Sequence, residues 1–268
     1  MGGSSTVSIL AVVPTAGARS ATLQQTLRSI RDQGMADLDI LIVTPVSGEE
    51  LVAPLADRYG AALASDPGSG LTAALSEGLR RASGYDAYLW INDDDELTEG
   101  SLAATWGALS SREDRVLVYG NVEYVDTTGR HIATSKLGRF AKHLMAYGPN
   151  LLPQPGSLAR TDAIVAAGGF DDTLRYAPDL DLFLRLRAFG ELAHIDRVVA
   201  RYTWHPDALT VQYRRTSLRE AEEVRRRYRG PIGRILGYPA DLATRLFVSQ
   251  ASRRLTARAR SGSQQAPA

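Results

Sequence analysis

Cysteine is absent from the 268 residues, which excludes disulfides, thiol nucleophiles and Cys-ligated zinc. Four histidines leave little room for a histidine-rich metal site. No apolar run reaches about 18 residues, so no helix is expected to span a bilayer. The opening MGGSSTVSIL has neither a basic stretch nor a long apolar segment, so a secretory signal is not expected. Together these features suit a cytoplasmic address. Lysine is confined to Lys136 and Lys142.

What is present is an ordinary globular composition, 44% hydrophobic and 23% charged, which argues against bulk disorder. The length fits one large α/β domain, or a domain with a small appendage. The net charge of +1 conceals an asymmetry. From Arg219 to Arg260 eleven arginines face four acids (Glu220, Glu222, Glu223 and Asp241), +7 locally, which leaves −6 for the rest. A basic tail behind an acidic body suggests a segment that meets something anionic.

Residues Val7–Val13 (VSILAVV) are continuously apolar rather than alternating, the pattern of a strand covered on both faces. Leu23, Leu27 and Ile30 follow at helical spacing. Asp39–Val43 predicts a second strand, Glu50–Tyr59 a helix and Ala61–Ala64 a short strand. Leu71, Ala74, Leu75, Leu79 and Ala82 make another helical face, and Ala87–Ile91 (AYLWI) another buried strand. The order β-α-β-α-β-α-β specifies a parallel sheet with right-handed crossovers. Ligands of such sheets sit beyond the carboxyl ends of the strands. There lie Pro14–Arg19, Thr44–Ser47, Asp66–Gly70 and Asn92–Asp95.

The second half is less regular. Val116–Tyr124 reads as a strand of mixed pairing, Leu137–Pro155 as loop and short helix, and Asp162–Ala167 as a short helix. Leu180–Phe189 predicts a helix and Val198–Trp204 a last strand.

Two acidic groups stand out. Asp93, Asp94 and Asp95 close a buried strand, and neighbouring like charges require solvent or a cation. Hard oxygen donors suit Mg²⁺ or Mn²⁺, which can hold a diphosphate; a solvated turn or helix cap is the plainer reading. Asp179 and Asp181 follow Pro178 at a helix start, where they stabilise the helix dipole or serve one as a general base.

In order along the chain, these residues resemble the family 2 glycosyltransferases, inverting nucleotide-sugar enzymes of the GT-A fold. The resemblance spans Val7–Val211. Val12-Val13-Pro14-Thr15 with the Leu23–Ile30 helix is similar to the first nucleotide segment, and Ser65–Gly78 to the second. Asn92-Asp93-Asp94-Asp95 stands where the family keeps its DxD metal motif. Pro153-Gln154-Pro155-Gly156-Ser157, Gly168-Gly169-Phe170-Asp171 and Asp179–Leu186 resemble the acceptor half. Two positions depart from the family's pattern. The loop after the second strand is Thr44-Pro45-Val46-Ser47 in place of an acidic one, and Ser76 replaces an asparagine.

The resemblance implies a GT-A (Rossmann-like) α/β fold: a mixed, mainly parallel sheet flanked by helices, with a C-terminal helical extension. The glycosyltransferase domain would occupy 1–212, with a nucleotide-sugar half at 1–115 and an acceptor half at 116–212. A basic helical extension would follow at 213–268. Nucleotide contacts are implied for Pro14, Thr15, Ala16, Arg19, Thr44, Asp66, Gly70, Asn92 and Asp93. Asp94, Asp95 and His205 are the implied ligands of Mn²⁺ or Mg²⁺, and Gln154, Pro155 and Gly156 the implied acceptor contacts. Asp179 falls in register with the catalytic base, with Asp181 second. The implied reaction moves a sugar from a UDP, dTDP or GDP sugar to a hydroxyl of a saccharide, a lipid-linked saccharide or another small acceptor.

A sugar-phosphate nucleotidyltransferase would carry a glycine-rich basic loop after the first strand, whereas Thr15–Arg19 has one glycine and one arginine. An inactive nucleotide- or carbohydrate-binding relative is compatible with the altered loop at Thr44. Leu218–Tyr228 and Asp241–Leu255 read as basic helices. They would either lie peripherally on the anionic inner face of a membrane or pack on the domain or on a second subunit in a homodimer. Nucleic acid is not an expected partner, since aromatics do not interleave with the arginines. The last eight residues, SGSQQAPA, are expected to be disordered.

Overall fold

The computed structural model describes residues 7–66, 68, 70–205 and 213–263. Pro67 and Ser69 of the second nucleotide segment, residues 206–212 after His205, and residues 264–268 of the tail end lie outside the described residues.

The first half alternates as its apolar pattern predicts: β1 (Ile9–Pro14), α1 (Ser20–Arg31), β2 (Leu38–Thr44), α2 (Val46–Tyr59), β3 (Ala62–Ser65), α3 (Leu71–Arg80) and β4 (Ala87–Trp90). Every residue of β1 is buried because helices cover both faces of the sheet. Alternate side chains point oppositely along a strand. Ile9, Ala11 and Val13 therefore meet Leu23, Leu27 and Ile30 of α1 on one side. Leu10 and Val12 meet Ala74 and Leu75 of α3 on the other.

The second half comprises β5 (Glu96–Leu97), α4 (Ser101–Ser110), β6 (Arg115–Val125) and β7 (His131–Ser135). A 3-10 turn (Leu137–Phe140) leads into α5 (Ala141–Leu144), followed by β8 (Leu158–Arg160), α6 (Thr161–Ala166), α7 (Pro178–Leu186) and β9 (Glu191–Thr203). The tail forms α8 (Arg214–Arg227) and α9 (Pro231–Ser263).

Among the described residues one nine-stranded sheet runs in the order β3-β2-β1-β4-β8-β6-β9-β5, with β7 beside β6. β1 pairs in parallel with β2 and β4, and β2 with β3. β8 is antiparallel to both β4 and β6, and β6 is parallel to β9. The chain leaves β1 towards β2 and β3 and returns to its other side as β4. That reversal opens a crevice at the carboxyl ends. The loops there are bonded to neighbouring strands: Asp66 N donates to Thr44 O (2.7 Å), Thr15 N to Val43 O (2.9 Å) and Ile91 N to Val12 O (3.1 Å).

Several elements differ from the sequence expectation. The last strand begins at Glu191, seven residues early, and its irregular register against β6 breaks the pattern a uniform strand would show. α4 lacks a polar stripe, so no helical period announces it. The tail was expected as helices at Leu218–Tyr228 and Asp241–Leu255. The second is instead a single helix from Pro231 to Ser263 that runs through Pro239. It reaches three residues into the end expected to be disordered.

The tail is pinned to the body by buried charge. Arg229 is wholly buried and makes two bonds to Asp241 (2.9 and 3.0 Å), with another to Ala146 O (2.6 Å). A Cβ at Gly237 would collide with that guanidinium, so only glycine fits there. Arg245 pairs with Glu222, joining α9 to α8.

Candidate active site

The ends of β1 and β4 meet at the crevice. Thr15 Oγ1 donates to Asp93 Oδ2 at 2.5 Å. Arg19, in the loop before α1, spans the first two aspartates: Nη2 lies 2.9 Å from Asp93 Oδ1 and Nη1 2.5 Å from Asp94 Oδ2. His205, just past β9, brings Nε2 within 3.0 Å of the same Asp94 oxygen. One network thus joins Thr15, Arg19, Asp93, Asp94 and His205, residues up to 190 positions apart in the chain.

The three aspartates have different roles. Asp95 is 1% exposed; Thr203 N donates to its Oδ1 (3.2 Å) and Asn92 Nδ2 to its Oδ2 (3.3 Å). It ties the end of β9 to the turn after β4. Burial, reinforced by the charge of Asp94, pushes its carboxyl well above the usual range. Burial also raises Asp93, against the Thr15 hydrogen bond and the Arg19 charge. In Asp94 burial is outweighed by the hydrogen bond from His205 and the Arg19 guanidinium, so its carboxyl falls below the usual range. Of the three, Asp94 is the carboxylate whose surroundings favour the charged form.

The other nucleotide candidates are spread around this network. Ala16 and Gly70 are exposed and Asp66 is half-buried, while Pro14 is covered. The Asp66 carboxylate accepts from Gly68 N (2.9 Å) in a local turn. Thr44 is fully buried and its hydroxyl lacks a hydrogen-bond partner among the described residues.

On the acceptor side, the Gln154 amide donates to Trp90 O at 2.6 Å and so binds its loop to the end of β4. Pro155 and Gly156 are buried. Gly156 sits at φ +75°, and a Cβ there would strike Val199, so the turn requires glycine. Phe183 of α7 lies against Trp90, their ring centroids 5.8 Å apart. Asp179 is one helical turn before Phe183, on the same face of α7.

Asp179 is partly accessible, and Asn150 Nδ2 donates to its Oδ2 at 3.0 Å. Burial pushes its carboxyl up to about 6, against hydrogen bonds from the backbone and Asn150. Such a carboxyl is ionised at neutral pH yet far more basic than an ordinary aspartate. Asp181 faces inward: it takes a forked ion pair from Arg185 (2.7 and 2.9 Å) and the Tyr228 hydroxyl (2.7 Å). Two residues at this site have no signal in the sequence. Asn150 lies in an aperiodic segment. Glu220, on α8, accepts from the amides of Arg175, Tyr176 and Ala177 just before α7.

Among the described residues no group of three His, Asp or Glu is placed to hold a metal ion. The donor chemistry nevertheless fits a hard divalent cation. Asp94 Oδ2 and His205 Nε2 are the donors that would hold it, in place of the hydrogen bond they share. Such ions are commonly held by one or two protein groups, with substrate phosphates and water filling the other positions.

The class this fold and site define is a GT-A sugar-nucleotide enzyme. The profile described as Glycosyl transferase family 2 matches residues 10–160. The chain belongs to that family. No curated protein matches the sequence. Among solved structures the chain is similar to Staphylococcus aureus TarS, with a TM-score of 0.58 at 12% identity over 87% of this chain. It spans 44% of the length of that TarS chain. It is similar too to TarS residues 1–349 (0.58, 13% identity, 87% of this chain and 72% of that one). The same fragment in complex with UDP gives 0.58 and 13% identity, over 81% of this chain and 65% of that one. At these identities the likeness is one of fold.

Proposed function

We propose that the protein is an inverting glycosyltransferase that moves a sugar from a nucleoside-diphosphate donor to a hydroxyl of a saccharide or lipid-linked saccharide. The observation that carries this reading is the network of Arg19, Asp94 and His205 at the β1/β4 crevice, together with the raised carboxyl of Asp179 on α7, the helix whose Phe183 packs on Trp90 of β4. The nucleotide lies across the ends of β1 to β4, against the loops that begin at Thr15 and Asp66 and the start of α2 after Pro45. Asp94 and His205 would hold Mn²⁺ or Mg²⁺, and Asp95 supports them from below. The ion supplies charge neutralisation for the diphosphate. Arg19, half-exposed on its loop and paired with Asp93 and Asp94, would lend its guanidinium to the same phosphates.

Asp179 takes the acceptor's hydroxyl proton as that oxygen attacks the anomeric carbon. The bond from that carbon to the diphosphate breaks on the opposite face. One displacement inverts the configuration, so no protein nucleophile is needed. UDP is the first nucleotide to test, because a similar fold binds it. Thermal melting with UDP, dTDP and GDP, with and without Mn²⁺, tests the site: a ligand of the folded state raises Tm by mass action. Melting indifferent to all three nucleotides overturns the proposal.

A lipid-linked acceptor fits the outer face of α9. Tyr238, Leu242 and Leu246, four residues apart, are exposed along one side of it, and the exposed Arg253 falls on the same side. No acid follows Asp241, so the face suits an anionic bilayer at the cytoplasmic side, whereas two copies face to face would oppose like charges. Among the described residues no helix is long and apolar enough to cross a membrane. Vesicles rich in anionic lipid are expected to pellet the protein, and Leu242→Glu with Leu246→Glu to abolish it. Unchanged pelleting of the double variant refutes this contact.

A further inference from the structure

α7 begins without a cap of its own. Ala177, at the N-cap, has no side-chain acceptor, and Pro178, the next residue, has no N–H. The carboxylate that serves this end comes from α8. Glu220 Oε1 accepts from Tyr176 N (2.5 Å), Ala177 N (2.8 Å) and Arg175 N (3.1 Å), and Oε2 also lies 3.1 Å from Arg175 N. Three consecutive amides thus converge on one charged acceptor, a strong arrangement at the positive end of a helix. The same segment also holds α7 and the turn before it. The Tyr228 hydroxyl, just past its end, donates to Asp181, and Arg227 binds Asp171 in the turn below (both 2.7 Å).

We propose that Glu220 is a positioning residue for Asp179: by holding the Arg175–Ala177 amides it sets where α7 starts and where its first-turn carboxylate stands. The tail helix α8 is then part of the catalytic apparatus. This rests on the reading of Asp179 as the base. The electrostatics agree, since the Glu220 charge adds to burial in raising Asp179. The other charged groups around α7 have partners of their own: Asp181 with Arg185 and, at 3.9 Å, with Arg227, which also binds Asp171, while the Arg175 guanidinium lies over the Tyr176 ring.

The test uses the full chain with ¹³C-carboxyl-labelled aspartate, the Asp179 signal being assigned by its loss in Asp179→Asn. Glu220→Gln keeps an acceptor for the amides but removes the charge. The Asp179 titration midpoint is then expected to fall below about 6 while staying above the ordinary 3.8, because burial, the largest cause of the rise, remains. In Glu220→Ala the amides of 175–177 are expected to exchange about tenfold faster or more, while the melting shift given by UDP is kept. An unmoved midpoint in Glu220→Gln overturns the proposal, and so do unaccelerated amides in Glu220→Ala. Should Glu220→Ala not fold, the Glu220→Gln midpoint decides alone. Full transfer by Asp179→Asn would instead remove the base assignment, an outcome independent of both readouts.

Discussion

Replacing Asp179 by asparagine sets function against stability. Burial raises this carboxyl from 3.8 to about 6, so at pH 7.5 the folded state holds an ionised group it disfavours. Each pKa unit corresponds to about 1.36 kcal/mol. The shift is therefore worth at most about 3 kcal/mol, and partial exposure to solvent discounts it to about 1–3 kcal/mol. The sign follows from proton binding. The folded state binds its proton more tightly than the unfolded one, so the penalty is full above about pH 6 and gone below about pH 4. Asparagine resembles the protonated acid and has an oxygen to accept from Asn150. At roughly 2–4 °C per kcal/mol in a protein of this size, Asp179→Asn is expected to raise Tm by about 2–12 °C at pH 7.5. At pH 4 the gain disappears. Transfer falls by about 10²–10⁴, the usual contribution of a general base. The assay is a pair of melts at the two pH values beside release of nucleoside diphosphate. A variant less stable than the parent at pH 7.5, or equally stabilised at both pH values, refutes the burial argument. Full transfer refutes the base.

Two further substitutions probe the other assignments. His205→Ala removes one of two proposed ion ligands, and the Mn²⁺ concentration needed to raise the melting temperature with UDP should increase about 10–100-fold; an unchanged Mn²⁺ requirement excludes His205. Asp181→Ala leaves Arg185 without its carboxylate and Tyr228 without its acceptor, and is expected to cost about 3 kcal/mol or more in urea unfolding. A loss below about 1 kcal/mol shows that Asp181 does not join α7 to α8.

Much of the nucleotide half was legible because its signals are local. A non-alternating apolar run such as VSILAVV demands cover on both faces, and Asn92–Asp95 follows AYLWI directly. Their order along the chain led to the parallel sheet and to the crevice at its carboxyl ends. The acceptor half was harder to read. α4 is apolar without a polar stripe, β8 has three residues, and β9 bends against β6. The tail helix α9 runs through Gly233, Gly237 and Pro239, residue types that ordinarily weaken or interrupt a helix. The helix continues because Gly237 leaves room for the buried Arg229 guanidinium, which is paired with Asp241.

By itself the sequence determined which residue types were available at the ends of the strands, since period and punctuation are properties of neighbouring residues. Which of them act together was decided only by the tertiary structure. Three adjacent aspartates look alike in a string of letters. Folding gives Asp95 to a backbone amide of β9, Asp93 to Thr15, and leaves Asp94 facing Arg19 and His205. Glu220 is likewise one charge among many on an arginine-rich helix until α8 docks on α7 and three amides converge on it. Burial and long-range hydrogen bonds depend on partners far apart in the chain, and those are fixed only when the sheet and its helices close.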